Sequence, residues 1–253
     1  MAPRPSLAQR YEWARERGRP LIGGHRGNPA EHPENTLASF GSAIELGVDI
    51  IECDVHMSAD GELVVIHDHT LERTADGQGL VRDRSSAELR ELDAGGGERL
   101  PLLREVCELS DEHNVPLAIE LKQIPIPYPG IEQKVVELLR ETNLLEVAAV
   151  ISFQHRSVQL LKQLEPRLQT GLLEGARPID PVRMMREANA DLYAPHYGAM
   201  DPELVEEMHA AGKAVGVWTV DDAAGVLWCR ICKPDSVFTN RPREITPLLL
   251  SLD

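Results

Sequence analysis

The chain has 253 residues, 42% apolar and 26% charged, a composition that excludes a disordered tail and a fibrous repeat. Aspartate and glutamate outnumber lysine and arginine 41 to 26, and a net charge of −15 repels nucleic-acid backbones and anionic bilayers over most of the surface. Aromatic residues, at 4%, are too sparse for base-stacking platforms, and four cysteines in a chain of this length make no disulfide framework. The N-terminal stretch scatters charges where a signal peptide would be apolar, and no run approaches the ~18 apolar residues of a membrane span. A cytoplasmic protein without stable membrane association or nucleic-acid partner is expected.

Short β-branched or apolar runs alternate with segments of helical period. The runs are PLIGGH (20–25), VDIIECD (48–54), PLAIEL (116–121), AAVISF (148–153), QTGLL (169–173), DLYAP (191–195), AVGVWT (214–219) and DSVFT (235–239). Helices with recognisable ends lie between them, such as the one opened by Asp201 and Pro202 and stopped by Gly212. Eight βα units in about 250 residues predict a (β/α)8 TIM barrel, read here as a single domain over 1–253. A ninth run, ELVVIH (62–67), follows the turn signal of Ser58, Ala59, Asp60 and Gly61, so a hairpin is expected inside an insertion at about 57–97, between strand 2 and helix 2. Cys229 and Cys232 are expected as ordinary thiols packed on a helix.

Polar residues gather at the C-terminal ends of these strands: His25 and Arg26, Glu52 and Asp54, Glu120 and Lys122, Ser152, Thr219 and Asn240. In a barrel those ends form the active-site face. Glu52 and Asp54 are two apart on a strand, so both emerge on one face while Ile51, Cys53 and Val55 take the other; Glu120 has the same setting. Three carboxylates that converge repel one another unless a cation sits between them. All-oxygen ligands suit one hard divalent ion, Mg²⁺ or Ca²⁺. The competing reading pairs the acids with Arg26 and Lys122 as a buried ion network. His25 ends the first strand and His67 the inserted hairpin, and two imidazoles aimed at one mouth suit an acid and a base. The other seven histidines read as surface or packing residues. Asn35 and Thr36 read as helix caps before a helix with Leu37, Phe40 and Ile44 on one face, and Glu34 as a residue ordering the site from behind.

The elements HRG (25–27), PENTL (33–37), ExD (52–54), DG (60–61) and HD (67–68), in that order and spacing, resemble the glycerophosphodiester phosphodiesterase family. Similarity continues through IELK (119–122), ISF (151–153), WTV (218–220) and SVFTNRP (236–242). The resemblance implies a TIM barrel with a small insertion after strand 2 that hydrolyses small-molecule glycerophosphodiesters to sn-glycerol 3-phosphate and an alcohol with a divalent cation. It implies His25 and His67 as the catalytic acid–base pair and Glu52, Asp54 and Glu120 as metal ligands. Arg26 and Lys122 are implied as phosphate contacts, and Trp218 as a wall of the glycerol or alcohol pocket. Two alternatives stand beside this reading: phospholipase D-like hydrolysis of lysophospholipid or sphingomyelin head groups, and a non-catalytic binder of phosphorylated ligands.

Overall fold

The structure, a computed structural model, describes residues 4–251. Its elements in chain order are α1 (Leu7–Arg17), β1 (Leu21–His25), α2 (Leu37–Glu45), β2 (Ile50–Met57), β3 (Leu63–Val65), α3 (Ser86–Arg90), α4 (Leu103–His113), β4 (Leu117–Leu121), α5 (Ile131–Glu141), β5 (Ala148–Ser152), α6 (His155–Leu164), β6 (Gln169–Glu174), α7 (Pro181–Ala188), β7 (Leu192–Pro195), α8 (Pro202–Ala210), β8 (Ala214–Val217), α9 (Ala223–Cys232), β9 (Ser236–Thr239) and α10 (Pro242–Leu250). Eight of the strands are parallel, in the order β1-β9-β8-β7-β6-β5-β4-β2, and β1 pairs with β2 to close the barrel. The short strand β3 runs antiparallel to the end of β2, as the turn at Ser58–Gly61 predicts. The expected eight-strand barrel with an inserted hairpin is therefore what this chain forms.

Strand alternation divides the side chains between two cores. The faces turned outward, with Ile51, Cys53, Val55, Ile119 and Leu121 among them, pack against the helices. The faces turned inward place Ile50, Ala118, Ile151, Leu173, Leu192 and Phe238 in the lumen, and Leu7 and Tyr11 of α1 join this inner cluster. Gly23 makes room for one of them: a Cβ there would lie 2.2 Å from the Phe238 ring. The insertion beyond β2 has its own apolar cluster of Val64, Ile66, Leu71, Val81, Leu89 and Leu100. It is thus a packed lobe, which matters because it carries His67. Cys229 and Cys232 are buried free thiols on α9, as expected. In α2 the buried residues are Ser39, Phe40 and Ala43, whereas Leu37 is exposed, so the apolar face is rotated from the expected one.

Candidate active site

Strand register builds the site. His25 of β1 lies opposite Glu52 of β2, and Asp54 of β2 lies opposite Glu120 of β4. Because these residues share the inward face, their carboxylates meet above the apolar lumen rather than on the helix side. Ligand atoms of Glu52, Asp54 and Glu120 lie within 4.8 Å of one another, and the three residues are 3%, 0% and 6% exposed.

Two cations reach into the cluster. Lys122, two residues after Glu120, sits 2.7 Å from Glu120 Oε1 and 3.0 Å from Asp54 Oδ1. Arg26 places its Nε 3.2 Å from Asp54 Oδ2 and donates from Nη1 to Glu34 at 2.9 Å. Its backbone is left-handed, with φ of 58°, which turns its N–H toward Glu52 Oε2 at 2.8 Å. The predicted ion network therefore exists, but it does not balance: three carboxylates face two cations. The imbalance shows in the proton affinities. Burial, then the charges of Asp54 and Glu120, push the Glu52 carboxyl well up. Burial pushes Glu120 up to about 7 against the pull of Lys122. Burial would raise Asp54 too, but Lys122 and Arg26 overcome it and hold that carboxyl well below the usual range.

This donor set fits a hard divalent cation. Its ligands are all oxygen, and Asp54 Oδ1 is buried without an aligned hydrogen bond. A doubly charged ion would convert one excess negative charge into one positive charge, the charge a phosphodiester monoanion neutralises.

The histidines have different partners. His67 Nδ1 lies 2.5 Å from Asp68 Oδ1, and Asp68 accepts from Arg73 at 2.7 and 3.0 Å. Arg73 also spans both oxygens of Glu34, so Glu34 joins the guanidinium groups of Arg26 and Arg73. His25 Nδ1 lies 2.7 Å from Asn240 Oδ1, and its burial lowers its pKa to about 4. His25, Arg26, His67 and Lys122 line one cavity with Trp218 and Phe153 on its far wall, where the two aromatic rings meet edge to face at 5.6 Å. His25, Arg26, Glu52, Asp54, His67, Glu120, Lys122 and Trp218 are thus all brought to the barrel mouth, whereas Ser152 is buried and donates to the Leu121 carbonyl.

Residues 25–244 match the glycerophosphoryl diester phosphodiesterase family. The chain belongs to this family. It is 38% identical over 236 residues to a glycerophosphodiester phosphodiesterase of Caldanaerobacter subterraneus, a match covering 90% of this chain and 97% of that one. Among solved structures it resembles an Oleispira antarctica phosphodiesterase in complex with the product sn-glycerol-3-phosphate, at 30% identity and a TM-score of 0.84 over 94% of this chain and 99% of that one. It also resembles a glycerophosphodiester phosphodiesterase of Agrobacterium tumefaciens at 29% identity and a TM-score of 0.78, covering 92% and 100% of the two chains.

Several groups in this phosphodiesterase were not visible as site residues in the sequence. Thr36 does cap α2, accepting from Ser39 N, but Asn35 is no cap: its φ is 60°, and its side chain donates to Asp54 Oδ2 at 2.8 Å while accepting from Asp54 N. His56 is a buried packing residue as expected, yet its Nε2 donates to the His67 carbonyl, leaving Nδ1 to accept from the Tyr128 hydroxyl. Among the described residues no helix is long and apolar enough to cross a membrane.

The raised carboxyls give the phosphodiesterase a predicted pH signature. Between about 4.5 and about 7, folded Glu120 keeps a proton that the unfolded chain has lost, so its contribution to stability falls as pH rises through that window. Glu52 acts in the same direction. A divalent cation held by the three carboxylates would take the place of those protons. The rise in thermal midpoint on adding excess Mg²⁺ or Ca²⁺ should therefore grow by several degrees from about pH 5 to about pH 7.5. Calorimetry at matched pH checks this, and a pH-independent rise contradicts it.

Proposed function

We propose that this phosphodiesterase cleaves glycerophosphodiesters to sn-glycerol 3-phosphate and an alcohol, with one divalent cation held by Glu52, Asp54 and Glu120. The observation that carries the reading is the convergence of these acids with two cationic side chains and two imidazoles at one mouth. The bound cation would supply charge neutralisation at the phosphate. Arg26 and Lys122 hold nonbridging oxygens and stabilise the charge that builds on them. Trp218 walls the substrate pocket. His25 and His67 move the protons. Their partners divide the roles: His25, part-buried against a neutral amide, stays uncharged and takes the proton of the attacking group, whereas at His67 burial lowers the pKa but the charge of Asp54 and the Asp68 carboxylate on Nδ1 oppose it, favouring the imidazolium that donates to the leaving alkoxide.

Lysophospholipid head-group hydrolysis is a second reading, favoured by one observation. Ile124, Phe153 and Ile179, on loops that follow β4, β5 and β6 at the mouth, are 55%, 39% and fully exposed. Turnover of glycerophosphocholine and of micellar lysophosphatidylcholine, with products identified, separates the two. Release of sn-glycerol 3-phosphate from the soluble diester, at a higher kcat/KM, is expected. Choline release confined to micelles overturns the preference, and no release from either revives a binding role.

A further inference from the structure

We propose that Asp221 is a positioning residue that fixes the tautomer of His25 through Asn240. Asp221 lies in the loop after β8, away from the proposed cation cluster, and the mechanism above gives it no part. Its Oδ1 accepts from Thr239 Oγ1 at 3.0 Å and from Asn240 N at 2.8 Å, and its Oδ2 accepts from Asn240 Nδ2 at 2.7 Å. An ionised carboxylate can only accept. The Asn240 side chain must therefore turn its NH₂ to Asp221 and its carbonyl oxygen to His25, an orientation that an isolated amide would leave open. That oxygen, 2.7 Å from His25 Nδ1, can only accept in turn, so Nδ1 carries the hydrogen. Nε2 is left with a free lone pair on a ring that, like His67, lines the cavity.

Without the charge at Asp221 the Asn240 amide is free to flip. Its NH₂ would then donate to Nδ1, moving the hydrogen to Nε2 and removing the lone pair that a base needs. Thr239 and Asn240, adjacent at the end of β9, join Asp221 to His25 across the mouths of β8, β9 and β1, three strands that are neighbours in the barrel. A wrong tautomer in an otherwise intact site costs roughly 10⁴ in kcat in the serine protease triad.

The inference rests on His25 acting as the base, so its test reads the tautomer and turnover separately. Asp221→Asn keeps the shape and removes the charge. The expected result is a fall in kcat of about 10²- to 10⁴-fold with KM within a few-fold. In the ¹⁵N imidazole spectrum of the resting protein, His25 should change from the Nδ1–H form to a mixture with the Nε2–H form. Asn240→Asp alone sets two carboxylates face to face and should be similarly slow. The double variant Asp221→Asn/Asn240→Asp reverses the pair, so that the new amide at 221 donates to the new carboxylate at 240, which again accepts from Nδ1. It should recover kcat to within about tenfold of the parent. A merely structural role predicts a double variant no better than the worse single one, and that outcome, or an unchanged Nδ1–H spectrum in Asp221→Asn, overturns the proposal. Tautomer loss with full turnover supports control by Asp221 and contradicts His25 as the base.

Discussion

Replacing His67 with alanine should lower kcat by about 10³-fold or more while cation binding stays within a few-fold of the parent. General acid catalysis contributes about 10²–10⁴ in rate, and the upper part of that range is expected where the leaving group is a poor one such as a choline alkoxide. The separation from cation binding follows from geometry. His67 bonds to Asp68, which Arg73 braces, and it makes no hydrogen bond to Glu52, Asp54 or Glu120. His25→Ala should fall by a similar factor, and the double variant little further, because a proton taken and a proton given belong to one event. Steady-state kinetics beside calorimetric titration of Mg²⁺ and Ca²⁺ decide the matter. Near-parental turnover by His67→Ala removes the ring from the chemistry.

The second large effect is expected at Asp54, where Asp54→Asn should abolish both cation binding at millimolar concentrations and turnover, and should also destabilise the protein. Asp54 is fully buried and faces Lys122, Arg26 and Asn35 at once. Removing its charge leaves two part-buried cations with fewer counter-charges, and breaking a buried pair costs about 3–5 kcal/mol. The lower end applies here, because Glu34 still pairs with Arg26, and Glu120, relieved of the Asp54 charge that helps raise it, can ionise beside Lys122. Glu120→Gln gives the contrast. Its carboxyl is already pushed up to about 7, so the neutral side chain should leave stability near pH 6 almost unchanged while weakening the cation. Equal destabilisation by the two substitutions contradicts this account of the charge balance.

The barrel and the acidic cluster were legible because each depends on spacing along one strand. Two residues apart on β2 means one face for Glu52 and Asp54, whatever the rest of the chain does, and eight apolar runs between helical segments leave few closed arrangements. Partners across the fold were not legible in the same way. Arg73 sits in the insertion with nothing around it in sequence to mark it, yet it joins Glu34 to Asp68. Asn35 precedes a helix and carries a capping side chain, so local pattern points to a cap. A left-handed backbone instead turns the side chain into the barrel mouth, where a buried carboxylate needed a donor. Asn240 was visible as a polar residue at a strand end, but Asp221, which orients it, comes from another loop and gains its meaning only from the closure of the barrel.

The central claim, that the three carboxylates hold a cation the reaction requires, is tested most directly by turnover of one soluble glycerophosphodiester after exhaustive chelation and then after titrating Mg²⁺ or Ca²⁺ back. The account predicts that release of sn-glycerol 3-phosphate falls to background in chelator and recovers in saturable fashion with one equivalent of ion bound, and that Asp54→Asn recovers nothing. Undiminished turnover in chelator, by protein shown to be free of metal, would contradict it.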